Sequence, residues 1–212
     1  MIDRIDQPKL LGEESALNKR LDQIYDGHIN PLNRFVESMR NKMGPEAAIP
    51  YFDPWDGGVN AELLMLLEAP GPKAVNSGFV SRNNPDETAK NIFELSREAG
   101  IERTKTVVWN IVPWYIGSGK RIRAANSIDI GSGLLALEEL FSLLPSLKLV
   151  MLLGKKAQKA SDIICGLNPS LNIVKSPHPS PLFVNRRPEN RELLLGIFKD
   201  VSAKLSDSPA RK

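Results

Sequence analysis

A histidine held between two prolines is the residue best placed to do chemistry in this chain. His178 lies between Pro177 and Pro179, in a stretch that begins as a short apolar strand and ends at the start of a helix. Proline fixes its own φ at about −65° and keeps the preceding residue out of the helical region. The imidazole therefore sits on a stiff, extended loop, which suits a side chain that must be aimed. We interpret this loop as one half of an active site.

Three other loops carry comparable residues. Each follows a predicted strand and is rich in Gly, Pro or polar residues, and they start at Glu68, Asn110 and Gly154. In parallel α/β sheets, ligands bind at the carboxyl ends of the strands. We therefore expect Glu68, Asn110 and His178 to surround one cavity.

The elements that must position these residues alternate between strand and helix. Continuous apolar runs predict strands at 62–68, 106–110, 147–153 and 171–174, and helical periodicity predicts helices at 85–99, 129–144, 155–164 and 188–205. This alternation predicts a three-layer α/β/α fold with a central, mainly parallel four-stranded sheet. Residues 1–60, with two helices and a wrapping loop, are assigned to the same domain. Residues 61–205 form its main part, and 206–212 are expected to be a flexible tail.

Composition excludes several classes of protein. The one cysteine, Cys165, excludes internal disulfides and any four-cysteine iron–sulfur or zinc site. No apolar run reaches the length of a transmembrane helix, and the first residues lack the apolar core of a secretory signal. A cytoplasmic protein without metal or cofactor is therefore expected.

The charge is distributed unevenly along the chain. Residues 1–100 carry 11 Lys and Arg against 16 Asp and Glu, whereas residues 101–212 carry 17 against 9. A basic second half favours an anionic partner such as nucleic acid, although lysines spread over a solvated surface would give the same count.

Three motifs, in this order and at these strand ends, resemble the uracil-DNA glycosylase superfamily. The stretch Glu68–Gly71 is similar to the first-strand motif of that family, Asn110 to the Asn that ends its second strand, and His178–Leu182 to its late His-Pro-Ser motif. The resemblance extends over residues 60–200. It implies an α/β/α glycosylase fold for this part of the chain.

The chain also departs from the family pattern. Ala69 stands where the best-known branch carries a catalytic Asp, and Leu67 replaces the usual leading Gly. The branch that shares the Glu-Ala-Pro-Gly motif uses four cysteines for an iron–sulfur cluster, which this chain lacks. We therefore expect an atypical branch without the cluster.

The resemblance implies an enzyme that hydrolyses the N-glycosidic bond of uracil in DNA, by water attack on a flipped nucleotide and without strand cleavage. In this reading His178 donates to the O2 oxygen of the leaving uracil, and Asn110 reads the O4 and N3–H edge. Phe79 would stack on the base. The residues expected close to the substrate also include Ala69, Pro70 and Gly71.

The group that activates the water stays open at this point. Glu68 is the family-matched carboxylate, Asp53 and Asp56 are alternatives, and a water held by main-chain groups is a further possibility.

The resemblance also implies contacts to DNA. Leu182 is expected to be the apolar wedge that enters the base stack, with Phe183 beside it. Expected phosphate contacts are Ser180, Arg186, Arg187 and Lys155.

Two other functions are compatible with these residues. A glycosylase for another damaged base, such as hypoxanthine, xanthine or mismatched thymine, would keep the fold and change the substrate. A catalytically silent DNA-binding module is favoured by Ala69 in place of the Asp. The expected partner is uracil-containing DNA, single- or double-stranded, bound by a monomer away from any membrane.

Overall fold

A sheet of four parallel strands lies at the centre of the molecule. The computed structural model describes residues 6–118 and 121–207. For residues 121 and 122 it describes the backbone alone. The strands are β1 (Tyr51–Phe52), β2 (Leu63–Leu67), β3 (Phe79–Val80), β4 (Thr106–Asn110), β5 (Gly117–Ser118), β6 (Arg121–Ile122), β7 (Leu149–Leu153) and β8 (Asn172–Ser176). The helices are α1 (Glu14–Leu21), α2 (Asn30–Met43), α3 (Pro72–Ser77), α4 (Glu87–Glu98), α5 (Ser127–Ser142), α6 (Ser161–Leu167), α7 (Pro181–Val184) and α8 (Pro188–Asp207).

The order of strands in the sheet determines where a site can form. The order is β4-β2-β7-β8, and every neighbouring pair is parallel. Leu67 lies opposite Asn110, and Leu153 lies opposite Ser176, so the carboxyl ends of all four strands meet at one edge. The chain moves outward from β2 to β4 and then returns to β7 on the other side of β2. Such a reversal opens a crevice beyond the strand ends.

Burial on both faces explains why β2, β4 and β7 are apolar throughout. All three are almost entirely inaccessible to solvent, because helices cover the sheet on both sides. Side chains alternate along β4: the Trp109 ring stacks on Phe52 with centroids 3.9 Å apart, whereas Val108 and Asn110 face the other layer. The three-layer α/β/α prediction is confirmed.

Several short elements were not predicted from sequence. β1 and β3 form a two-stranded parallel sheet, β5 and β6 form an antiparallel hairpin, and α3 and α7 are helices of six and four residues. Segments of two to six residues carry too little periodicity to be recognised. Helix α8 runs to Asp207, so residues 206 and 207 of the predicted tail are helical, and residues 208–212 lie outside the described ones.

None of the described helices combines the length and the hydropathy that a membrane crossing requires.

Candidate active site

A cavity of about 440 Å³ lies at the carboxyl edge of the sheet. Its lining includes Glu68 after β2, Asn110 at the end of β4 and His178 after β8. Three loops that are far apart in sequence therefore meet at one cavity, as expected. The volume is roughly three times that of a cavity of about 150 Å³ that takes up a benzene ring. The space is thus larger than a single pyrimidine needs and has room for the attached sugar.

The first motif forms one wall of this cavity. Ala69, Pro70 and Gly71 all line it, and Pro72 begins helix α3. Proline fits the first position of a helix because the N–H it lacks would have no partner there. The chain therefore turns sharply after Glu68, and its backbone borders the cavity.

Asn110 carries an unpaired polar atom at the site. Its side chain is 3% exposed, and its Nδ2 is buried with no hydrogen-bond partner among the described residues. Buried amides are almost always hydrogen-bonded, because an unpaired donor costs about 1–3 kcal/mol. The neighbouring protein supplies no acceptor, so the cavity that Asn110 lines is where a ligand would supply one.

Several contacts hold the loop that carries His178. Asn91 on α4 donates from Nδ2 to the carbonyl oxygen of Pro179 at 2.8 Å. The Ser176 carbonyl accepts from the backbone N–H of Gly154 at 2.8 Å and from Gln158 Nε2 at 2.9 Å. The loop is therefore fixed from α4 on one side and from the segment after β7 on the other.

Gly154 allows the close approach of the imidazole. Its φ is +96°, and a Cβ built on it would lie 3.0 Å from His178 Cβ and 3.2 Å from Cδ2. Only glycine combines this backbone conformation with the absence of a side chain. The histidine therefore packs directly against the backbone at the end of β7.

Burial of His178 favours its neutral form. Loss of solvent lowers the pKa of the imidazole from its ordinary value of 6.5, and the nearby Glu68 carboxylate opposes this only in part. At neutral pH the ring is uncharged and donates from one nitrogen.

The Glu68 carboxylate is held by a backbone N–H of the segment that precedes α5. Its Oε1 accepts a hydrogen bond from the backbone N–H of Ala125 at 2.6 Å. This charge-assisted bond orients the carboxylate and joins β2 to the segment that precedes α5. Glu68 is half-buried at the site, so it stays the leading candidate to hold a water.

The structure does not bring the two alternative carboxylates to the cavity. Asp53 accepts from Arg20 Nε at 2.9 Å and from Arg103 Nη2 at 2.6 Å, and Arg103 also donates to Asp56 at 2.9 Å. Burial alone would raise the pKa of Asp53, but the two guanidinium groups outweigh it and the net pKa is lowered. These carboxylates join α1, the wrapping loop and the segment directly before β4 in a buried ionic cluster.

Phe79 also lies outside the cavity lining. Its side chain is fully buried, and its ring lies 6.4 Å from that of Tyr51, between the paired strands β3 and β1. The apolar part of the cavity wall is aliphatic rather than aromatic and includes Val80, Ile92 and Val108. Pairing with β1 turns Phe79 inward and leaves the next residue, Val80, at the cavity.

The predicted DNA contacts occupy an outer surface beside the His178 loop. Leu182 is 86% exposed on α7, whereas Phe183 is half-buried against the core. Arg186 and Arg187 are exposed. Lys155 is exposed after β7. Ser180 caps α7, since its hydroxyl accepts from the Phe183 N–H at 3.4 Å. Of the two apolar residues predicted to contact DNA, Leu182 protrudes as a wedge would and Phe183 does not.

Sequence reasoning missed several residues of the cavity. Arg82 lines it although it is 3% exposed, and its Nε has no hydrogen-bond partner within the described part of the chain, with Asp56 Oδ1 at 3.7 Å. Lys73 also lies at its wall. The positions of these two residues depend on the turn after β3 and on α3, which no sequence pattern predicts.

The described residues 6–118 and 121–207 contain no group of three or more His, Cys, Asp or Glu side chains suited to a metal ion.

Comparison with known proteins extends the likeness beyond the motifs. The chain resembles SMUG2 of Pedobacter heparinus with a TM-score of 0.54 and 15% identity, over 84% of this chain and 88% of that one. It resembles mimivirus UNG, solved in complex with UGI, with a TM-score of 0.41 and 15% identity, over 86% of this chain and 73% of that one. No curated protein sequence matches.

The sequence profile of the Uracil DNA glycosylase superfamily matches residues 54–202, well over half of the chain and the whole of the central sheet. That span includes every loop that lines the cavity, from the turn after β2 to the loop after β8. The protein therefore belongs to the uracil DNA glycosylase superfamily.

Proposed function

We propose that this protein excises uracil from DNA by hydrolysing the bond between the base and the deoxyribose. Its substrate is uracil-containing DNA, and its products are free uracil and an abasic site in an uncut strand. The enzyme acts as a monomer and uses no metal or cofactor.

The chemistry needs two charges stabilised at once. As the bond from C1′ to N1 breaks, the sugar becomes cationic and the base leaves as an anion. The neutral His178 ring donates a hydrogen bond to the O2 oxygen of that anion. Such a donor supplies a few kcal/mol, since one preorganised donor to an oxyanion is worth about 2.7–4 kcal/mol.

Glu68 acts on the other side of the bond. It accepts a hydrogen bond from the water whose oxygen adds to C1′, takes the proton that the water releases, and its charge stabilises the sugar cation. The released proton finally reaches the departing base, so uracil leaves in its neutral form. The residue at position 69 is alanine and takes no part in proton transfer.

The single observation that carries the proposal is the buried, unpaired Nδ2 of Asn110 in the same cavity as Glu68 and His178. A uracil O4 oxygen would accept from this donor, and the Asn110 Oδ1 would accept from N3–H. Cytosine carries a donor in place of O4 and would leave the amide facing another N–H group. This pattern supports uracil over cytosine.

Release of uracil from synthetic oligonucleotides tests the proposal. The purified protein is incubated with single-stranded DNA and with duplex DNA that carry one uracil, and free base is measured by mass spectrometry. We expect release from at least one substrate, and a loss of about 100-fold or more in His178→Ala. Asn172→Ala, at an exposed position on β8, is the control and should match wild type.

Three outcomes would contradict the proposal. A folded wild-type protein that releases no base from either substrate is not a uracil glycosylase. Release from a panel that contains hypoxanthine, xanthine and mismatched thymine, but not from uracil, would move the activity to another damaged base. Binding to the same DNA without turnover, and unchanged by His178→Ala, would indicate a silent binding module.

The same assay examines strand cleavage. Lys73 is the one lysine among the described residues that line the cavity, and it is exposed. A lysine that attacked C1′ would form a Schiff base and lead to a cut strand. We expect an intact strand before alkali treatment, and no product trapped by borohydride.

A further inference from the structure

One backbone segment beside the cavity is held from both sides. Ala125 is 1% exposed and directly precedes the N-cap of α5. Its N–H donates to Glu68 Oε1 at 2.6 Å, and its carbonyl oxygen accepts from Lys156 Nζ at 2.5 Å. A single residue thus connects the loop after β2 with the loop after β7.

Lys156 is tied to this role by its surroundings. It is half-buried, whereas its neighbours Lys155 and Lys159 on the same segment are exposed. A flexible lysine side chain loses conformational entropy when it is fixed, at a cost of up to about 2 kcal/mol. A charge-assisted bond to a buried carbonyl oxygen compensates for that cost.

We propose that Lys156 is a positioning residue for Glu68, and that it acts through Ala125. The Lys156 ammonium fixes the Ala125 peptide, and the Ala125 N–H in turn fixes one carboxylate oxygen of Glu68, leaving the other for the water. The same segment includes Arg123 and Ala124, which line the cavity, so Lys156 also sets the position of that wall. This inference rests on the proposed function in so far as it concerns turnover.

A double-mutant cycle on base release tests the proposal. Lys156→Met keeps the length of the side chain and removes its donor, and we expect kcat to fall about 10- to 100-fold with little change in KM, since small misplacements of catalytic groups have such effects. Lys156→Arg keeps a donor and should recover most of the loss. Lys159→Met is the matched control and should leave both constants unchanged.

The second half of the cycle uses Glu68→Ala. In that background, Lys156→Met should cause no further fall in kcat, because the residue through which it acts is gone. If the two losses instead multiply, Lys156 acts independently of Glu68 and the proposal is overturned.

A measurement that needs no activity separates this inference from the proposed function. Amide hydrogen exchange at Ala125 should be slow in wild type and faster in both Lys156→Met and Glu68→Ala. Faster exchange in a protein that releases no base would support the positioning of Glu68 by Lys156 through Ala125, and would reject only the glycosylase assignment. Unchanged exchange in Lys156→Met would reject the positioning role of Lys156, whether or not the protein releases base.

Discussion

The unpaired amide of Asn110 should make the ligand-free protein less stable than a variant with an apolar side chain at this position. Leucine is close to asparagine in size and has no donor, so Asn110→Leu removes a buried group that costs about 1–3 kcal/mol. Repacking the new shape costs less than about 1.5 kcal/mol. We therefore expect the free energy of unfolding to rise by up to about 2 kcal/mol, and the midpoint of thermal unfolding by up to roughly 8 °C for a chain of this size.

A second buried asparagine provides the matched control. Asn33 is fully buried on α2, but its Nδ2 donates to the Ile24 carbonyl oxygen at 2.9 Å and its Oδ1 accepts from the Phe52 N–H at 2.9 Å. Asn33→Leu leaves both backbone groups unpaired and should lower the free energy of unfolding by about 2–4 kcal/mol. The same chemical change thus has opposite effects at the two positions.

Thermal and urea unfolding of the two variants, with uracil release measured in parallel, decide the question. Asn110→Leu should be stable and inactive, which is typical of a group retained for function rather than for folding. If Asn110→Leu is destabilised as much as Asn33→Leu, the Asn110 carboxamide serves the fold, and the argument that a ligand completes its hydrogen bonding fails.

Three further predictions concern the His178 loop. Gly154→Ala should lower stability by about 1–3 kcal/mol and reduce kcat, because the new Cβ meets the imidazole; Gly44→Ala, at φ +92° with nothing within 4 Å, should cost stability without lowering kcat. The lowered pKa of His178 means that the unfolded chain binds more protons just below pH 6.5, so stability should fall as pH decreases from 6.5. His178→Gln should flatten that part of the stability profile, and an equal slope in both proteins would contradict the assignment. Leu182→Ser should reduce release from duplex DNA but not from single strands, whereas Leu135→Ser, 81% exposed on α5, should change neither; equal losses on both substrates would exclude a wedge.

Much of this protein can be predicted from local sequence. Apolar runs of five residues define the buried strands, since a strand covered on both faces has no polar side. The proline-flanked His178 and the amide at the end of β4 are recognisable because strand ends in a parallel sheet share one edge. The approximate position of the site therefore follows from the sequence, together with the family.

The details of the site depend on contacts between residues that are distant in the chain. Asp53 and Glu68 both have a carboxylate side chain. The sequence does not show that Asp53 is buried between Arg20 and Arg103, away from the cavity. Phe79 points into the core because β3 pairs with β1 over two residues, and a pairing this short leaves no periodic pattern in the sequence.

The supports of the site are equally invisible in the sequence. The sequence does not distinguish Gly154 from the other 14 glycines, and only the fold shows that it packs against His178. In the same way, only the fold shows that Lys156 donates to the Ala125 carbonyl oxygen. Sequence patterns record the preferences of neighbouring residues, whereas orientation, burial and hydrogen bonding at the site arise from packing of loops separated by dozens of residues. The sequence alone therefore determined the sheet and the edge that carries the site, and only the tertiary structure decided which side chains face the cavity.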